Sequence, residues 1–430
     1  MKKNKINQYM VIALMIGLGF FSNASAQEHL KDSLSYYIKV GIENNPGIKS
    51  QKYAHGAFLE KIPQAGAFQD LELSMEAYTT PMDIVGGRSI GNVSLMQTFP
   101  WFGTRKAART EATHMANVQN QQYLEAVDNL VFQVSTQWYS MQKLNEQLRN
   151  NQENKALLEQ LEQLATRKYS SSASSSSGGM SDVLRIQLEV VELENNIESI
   201  HSQIKAEKAK FNALLNREAT EEIMLGQDIH KVSLMYSEEE ILSTIEAKNP
   251  MLGMITEEGL AYKAKAEMDR KMSYPMIGIG AEYMVVGKTN NMMLAMEGMN
   301  GKDMIMPMVS VSLPLFRKKY DAQQKEGVLW RKSTEENFKN TFNTLKSEYY
   351  GFKSQLDDAE RAVKLFEKQT TLAQTTYNLV VKEFVTGKSD LTNVIQVQRQ
   401  LLDYQLRKAE ALANYNTMAV SIKKLLSENR

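Results

Sequence analysis

Seven methionines crowd the stretch from Met292 to Met308: Met292, Met293, Met296, Met299, Met304, Met306 and Met308. A thioether is a soft, neutral donor that suits Cu(I) and Ag(I). Met292, Met293, Met296, Met299 and Met304 fall in a polar stretch containing Gly and Asn, and are candidates for transient soft-metal contact. Packing is the alternative, because Met is also a flexible hydrophobe and 25 of the 430 residues are Met. Met308 falls on the polar side of a strand pattern. Asp182 and Asp390 form a second candidate set. Carboxylates repeated around a pore favour cations; each also follows a serine, Ser181 or Ser389, where an acid can cap a helix start.

Residues for catalysis do not assemble. His29, His55, His114, His201 and His230 are scattered without an i, i+4 pair. Glu238-Glu239-Glu240 follows a serine, as a helix start and its dipole favour. Gly86-Gly87, Gly278 and Gly280 lack the following helix that would cradle a phosphate. Neither an enzyme nor a resident cofactor is expected.

Composition narrows the classes further. The chain has no cysteine, which excludes thiol nucleophiles, iron–sulfur clusters, Cys-ligated zinc and disulfides. Lys+Arg and Asp+Glu both number 50, so the net charge is +0 and no nucleic-acid partner is expected. Mean hydropathy is −0.40, which argues against a polytopic helical membrane protein. Lys2, Lys3 and Lys5, the apolar run Met10 to Phe21 and Ala24-Ser25-Ala26 read as a signal peptide over residues 1–26. Its removal takes three lysines and no acid, leaving a net charge of −3. Beyond it no apolar run approaches the ~18 residues of a transmembrane helix, so any membrane entry must use strands.

The elements that position these residues come twice. Asn44-Asn45-Pro46 matches Lys248-Asn249-Pro250, Thr98-Phe99-Pro100 matches Ser312-Leu313-Pro314, and Asp182-Val183-Leu184 matches Asn393-Val394-Ile395. Offsets of 204, 214 and 211 drift little, so the chain reads as repeats over residues 27–236 and 237–430. Each repeat runs helix, hairpin, very long helix, shorter helix. Expected hairpins cover about 70–99 and 276–315, long helices about 104–168 and 319–386, and shorter helices about 181–216 and 390–427. Phe338, Phe342, Leu345, Tyr349, Phe352, Leu356, Ala359, Val363 and Phe366 follow the 4-3 spacing of a coiled-coil seam. Val127, Val131, Val134, Trp138 and Met141 answer in the first repeat, followed by Leu157, Leu161 and Leu164. A helix of ~65 residues spans roughly 100 Å, more than a globular core needs.

The hairpins alternate. Leu71, Leu73, Met75 and Ala77 oppose Glu72, Ser74 and Glu76; Ile277, Ile279, Ala281 and Tyr283 oppose Gly278, Gly280 and Glu282; Val309, Val311 and Leu313 oppose Ser310 and Ser312. The strand near Gly91 to Phe99 alternates less clearly. Such runs are the signature of outer-membrane barrel strands. Closure takes at least ~8 strands, so several copies must contribute, and three would supply twelve.

In this order and spacing the chain resembles the TolC-type outer membrane efflux proteins. The Asn-Pro helix starts, four strands, paired long and short helices and two tip turns carry the resemblance over essentially the whole chain after residue 26. The second tip, Phe384-Val385-Thr386-Gly387-Lys388-Ser389-Asp390-Leu391, is close to the family's aromatic-x-x-Gly turn. Ser94 to Thr104, with Gln97-Thr98-Phe99-Pro100-Trp101-Phe102-Gly103, looks like the stretch common in the heavy-metal, CusC/CzcC-like branch. The first tip departs, running from Tyr169 into a Ser-rich insertion that reaches Gly179.

The resemblance implies a mainly α chain with a small β part. Long antiparallel coiled-coil helices would form a periplasmic α-barrel, and four strands would join a trimeric, 12-stranded barrel in outer-membrane lipid. It implies a homotrimer, a periplasmic adaptor (membrane fusion) protein docking at Tyr169, Phe384, Gly387 and Ser389, and an inner-membrane RND-type pump that supplies the energy. The expected role is passive export, with copper/silver or zinc/cobalt/cadmium as cargo. A multidrug or type I secretion conduit would use the same scaffold. A non-channel periplasmic coiled-coil spacer is the rival from another class.

Overall fold

The structure is a computed structural model that describes residues 33–171, 179–226, 228–291, 293–294 and 297–428. The expected signal peptide, most of the Ser-rich first tip, Met292 and Met296 lie outside the described residues. The elements in chain order are α1 (Leu34–Asn44), α2 (Pro46–Ala65), β1 (Glu72–Ile84), β2 (Gly87–Phe99), α3 (Thr104–Ser171) and α4 (Gly179–Leu214). Then follow α5 (Glu238–Lys248), α6 (Pro250–Met272), β3 (Met276–Gly287), β4 (Met304–Ser312), α7 (Arg317–Val385) and α8 (Leu391–Leu426). The same order of two short helices, hairpin, long helix and shorter helix therefore occurs twice. Helices α3 and α7 have 68 and 69 residues, which at ~1.5 Å per residue gives rods of about 100 Å each.

Two compact units divide the chain. One comprises the residues up to Ser50, Leu124–Asn249 and Asn343 onward; the other comprises Gln51–Tyr123 and Pro250–Phe342. Each unit draws on both repeats.

The first unit is all helix. Leu345, Tyr349, Leu356, Ala359 and Val363 of the α7 seam are buried, as are Val127, Val131, Val134, Trp138 and Met141 of α3. Further along, Leu158, Leu161, Ala165, Val183, Ile186, Tyr377, Val380, Phe384, Leu391, Val394 and Leu401 form one apolar cluster drawn from α3, α4, α7 and α8. The α3 seam here differs from the expected one: Leu158 and Ala165 face the core, where the spacing gave Leu157 and Leu164. A straight helix drifts about 20° per heptad against a strict 3.5 repeat, so the buried stripe moves by one residue.

Polar residues fix the ends and the register. Asn45 and Asn249 end α1 and α5 and precede the prolines that open α2 and α6. The side-chain amide of Asn45 donates to the Leu214 carbonyl at 2.8 Å, and that of Asn249 donates to the Leu425 carbonyl at 3.1 Å. The duplicated Asn-Pro thus ties the start of each repeat to the end of its own shorter helix. Midway, fully buried Asn154 donates to Gln405 Oε1 at 2.7 Å and accepts from Gln398 Nε2 at 3.2 Å, joining α3 to α8.

The second unit contains the sheet. Its antiparallel order is β1-β2-β3-β4, so β1 and β4 are its edges. Strand lengths are 13, 13, 12 and 9 residues.

Removing either amide leaves a carbonyl at a helix end without its donor, which costs about 1–3 kcal/mol where the group is buried. Asn249→Ala is expected to lower the unfolding midpoint of the purified full chain clearly, and more than Ala substitution of exposed Gln64. Equal midpoints for the two variants would show that the Asn-Pro tie carries no stability.

Candidate functional site

The strand register sorts side chains onto two faces. Glu72 pairs with Met96 and Leu73 with Leu95 across β1–β2; Leu95 pairs with Ala281 and Gln97 with Ile279 across β2–β3; Ile279 pairs with Val309 across β3–β4. One face therefore carries Leu73, Met75, Val93, Leu95, Ile279, Tyr283, Ile305 and Val309. Most of these side chains are freely exposed, Ile305 at 74% and Met75 at 70%. The opposite face carries Glu72, Ser74, Asn92, Ser94, Glu282 and Ser310, with most positions on β2–β4 half-buried.

Aromatic side chains gather where the strands meet the helices. Trp101 stacks on Tyr274 with centroids 5.2 Å apart, Phe68 meets Phe99 edge-on at 5.6 Å, and Phe102 and Phe316 are exposed. An apolar band of strands bordered by aromatics is the pattern of a lipid-facing barrel wall. Among the described residues no helix is long and apolar enough to cross a membrane.

Past β3, the methionine-rich loop is organised by polar contacts. Thr289 is buried, donates its hydroxyl to Asp83 at 3.0 Å, and exchanges main-chain hydrogen bonds with the Asn300 side chain at 2.9 and 3.0 Å. Asp303 accepts from the Val286 amide at 2.9 Å and from the Tyr283 hydroxyl. The β1–β2 turn is pinned to the loop by Gly86, which donates to the Leu294 carbonyl at 3.1 Å and accepts from the Gly301 amide at 2.8 Å. Among the described residues the loop thioethers make no hydrogen bond in this frame. Met293 is 95% exposed, Met299 is exposed and Met304 is half-buried at the start of β4.

At the tips the second turn is closed by Gly387, whose φ of 78° is the left-handed conformation a helix C-terminus uses. Its amide donates to the Phe384 carbonyl at 3.1 Å, and the Lys388 amide donates to the Glu383 carbonyl at 2.8 Å. Phe384 is only 3% exposed, because the four-helix core takes up its ring. Tyr169 is exposed and its ring lies against Gly179, where a Cβ would come within 2.4 Å of it. Ser389 is half-buried and accepts from the Asn393 side chain at 3.2 Å.

The two candidate acids have different settings. Asp390 is the N-cap of α8 and accepts from the Asn393 amide at 2.8 Å. Asp182 lies inside the first turn of α4. Burial pushes its carboxyl up from the ordinary value, Arg185 and Lys168 pull it down, and Asp390 raises it again. The acids are therefore electrostatic neighbours.

Sequence spacing did not single out the cations that knit the tips. Lys168 donates to the Phe384 carbonyl at 3.0 Å and stands 4.4 Å from the centre of the Phe384 ring. Arg399 makes a two-pronged contact with Glu189 at 2.8 and 2.5 Å, joining α8 to α4. Such pairs carry no period and stand out only once the helices are placed side by side.

No protein-family model matches the chain, and no curated protein matches it in sequence. Solved structures do match in fold. The outer membrane protein VceC from Vibrio cholerae superposes with a TM-score of 0.70 at 13% identity, covering 92% of this chain and 96% of its own. CusC, described with transmembrane channel formation, gives 0.74 at 12% identity, covering 92% of each chain. The MtrE outer membrane channel of Neisseria gonorrhoeae gives 0.71 at 12% identity, covering 92% of this chain and 89% of its own. The chain has their fold: long paired helices with a four-strand antiparallel sheet.

Because the fold raises the Asp182 pKa, its contribution favours the native tip at acidic pH and is lost as pH rises through the raised value. Asp182→Asn is expected to slow amide exchange in residues 383–393 at neutral pH, with the difference vanishing near pH ~3, below the carboxylate range. Faster exchange in the variant at neutral pH would contradict the electrostatic reading.

Proposed function

We propose that this chain is the outer-membrane channel subunit of a tripartite efflux system, and that three copies close one 12-stranded barrel above a helical tunnel. The sheet is the observation that carries this reading. Among the described residues, four strands of 9 to 13 residues have an apolar outer face, an inner face that mixes polar residues with methionines, and two open edges. A tilted strand needs ~9–11 residues to span a bilayer. Lipid does not tolerate unpaired strand edges, so β1 of one copy must pair with β4 of the next. The likeness in fold to solved outer-membrane channels supports the same reading.

The conduit is passive. A periplasmic adaptor docks at the tips, where Tyr169, Gly387 and Ser389 stand at the surface and Phe384 supports the turn from below. An inner-membrane RND-type pump supplies energy and most of the choice of cargo. Asp182 and Asp390, repeated in each copy, bias the tunnel entrance toward cations. Metal ions are the proposed cargo, copper and silver ahead of zinc, cobalt and cadmium, because thioethers are soft donors. Met293 and Met299, exposed in the outer loop, with Met304 at its edge and Met292 and Met296 beside them in sequence, would touch metal only on exit.

A deletion strain is expected to lose growth on copper and silver and to regain it when the gene is restored. Sensitivity confined to dyes and detergents would make the chain a multidrug conduit. On the sheet, Ile279→Arg on the outer face should cost about 2–4 kcal/mol at the bilayer midplane and abolish recovery in the outer-membrane fraction. Ser310→Arg on the inner face should leave that recovery intact. Equal recovery of the two variants would contradict the lipid-facing assignment.

A further inference from the structure

The inner face of the sheet carries a pattern outside the methionine-rich loop. Across the register, Met96 and Met308 both pair with Gly280, Ser94 and Met306 both pair with Glu282, and Asn92 and Met304 both pair with Met284. Five methionines therefore share one face with Glu282, and on β1 the same rows add Glu72 opposite Met96 and Glu76 opposite Asn92. In these rows every large apolar side chain on that face is methionine. The opposite face of the same strands uses Leu, Ile, Val, Tyr and Pro.

The register sets the spacing of these residues. Same-face neighbours along a strand lie about 7 Å apart and adjacent strands about 4.8 Å apart. Gly280 leaves the place between Met96 and Met308 empty of side chain. The Met96 sulfur occupies that opening: it lies 3.1 Å and 3.2 Å from where a Cβ would stand on Gly280 and Gly278. On the far side, Ser310 donates to the same sulfur at 3.8 Å. The Met96 thioether thus reaches across β3 to Ser310 of β4, lying on the Gly278 side of its row with Glu282 on the other side. Glu282 is held in place by the Asn92 side-chain amide at 2.5 Å. All six residues are half-buried.

We propose that Met96, Met284, Met304, Met306 and Met308, with Glu282 on the same face, form a soft-cation way station that holds Cu(I) or Ag(I) transiently. The proposal rests on the channel reading, which turns this face to the lumen. Thioethers need no deprotonation to bind, so the site stays competent in acidic surroundings where imidazole ligands protonate. The carboxylate offsets the single positive charge of the ion. Hard divalent ions prefer oxygen-rich shells and gain little from thioethers. Neutral donors spread over several positions suit conduction, which requires entry sites that also release.

The test uses the purified full-length protein in lipid nanodiscs, titrated with Ag(I), with Zn(II) alongside. Wild type is expected to bind Ag(I) with sulfur neighbours in X-ray absorption and to show no comparable affinity for Zn(II). Met96→Leu/Met306→Leu/Met308→Leu, a swap of similar volume that cores tolerate well, should weaken Ag(I) binding at least about tenfold. That magnitude corresponds to about 1.4 kcal/mol. Met293→Leu/Met299→Leu should leave the inner-face binding in place. Potassium currents across planar bilayers separate the two readings. Currents in wild type and triple variant, blocked by Ag(I) only in wild type, support both. Equal block or equal binding in the two proteins overturns the way station and leaves the channel standing. Absence of current in wild type overturns the channel. Bound silver with only oxygen and nitrogen neighbours overturns the site on wild type alone, whether or not the variant folds.

Discussion

Backbone hydrogen bonding at the outer sides of β1 and β4 sets the terms for the rest of the molecule. Within the chain each of these strands has a neighbour on one side only. In hydrocarbon an unsatisfied peptide group costs several kcal/mol, and in water an open, flat, apolar edge is a template for aggregation. The outer face removes water as a comfortable solvent, since Leu73, Met75, Ile279, Ile305 and Val309 all stand exposed on it. Closure with further copies answers both demands at once, which is why the proposed barrel needs partners of the same sequence. The short inner-face residues then acquire a purpose: Ser74, Ser94, Gly278 and Ser310 leave the space inside such a wall open.

Long helices raise a different problem. A rod of 68 or 69 residues has one narrow apolar seam and cannot be fixed by its seam alone, because a slide by one heptad would still bury apolar side chains. Polar residues supply the register. Asn154 bonded to Gln398 and Gln405 marks one position along α3 and α8. Asn45 and Asn249 mark the ends by holding the Leu214 and Leu425 carbonyls. At the tips Lys168 holds the Phe384 carbonyl and Arg399 holds Glu189. The seam supplies burial, and these directional contacts select one alignment.

This division explains what could be read from sequence. Periodicity reveals burial, so the helices, the alternating strands and the doubled order of elements were legible from residues such as Val131, Tyr349 and Ile279. The weakest strand signal belonged to β2, a central strand, because Gln97 occupies an outward position and spends its amide on the Gln69 carbonyl at 2.8 Å. The α3 seam slipped by one beyond Asn150, where the straight-helix drift overtakes a strict heptad. Directional contacts carry no period, so Lys168, Arg185 and Arg399 went unseen. Phe384 continues the 4-3 seam of Ala373, Tyr377 and Val380 and also opens the tip turn; the seam position decides, and its ring belongs to the core. Asp182 and Asp390 were visible as acids that each follow a serine near a tip, but the cap at Asp390 and the half-shielded setting of Asp182 required the turns themselves.

Packing does not account for Met293. In the loop the main chain is held by Thr289, Asn300 and Asp303, while Met293 projects into open space and buries almost nothing. On the inner face, the rows from Gly280 to Met284 carry methionines in place of β-branched residues and accept a glycine, which weakens a strand. The outer face of the same strands follows the ordinary preference with Ile277, Ile279, Val309 and Val311. Strand propensity reflects how a side chain fits its own face, so the two faces of these strands are filled differently. In the proposed barrel the inner face would meet polar contents, which a flexible thioether can touch and release more readily than a rigid aliphatic side chain.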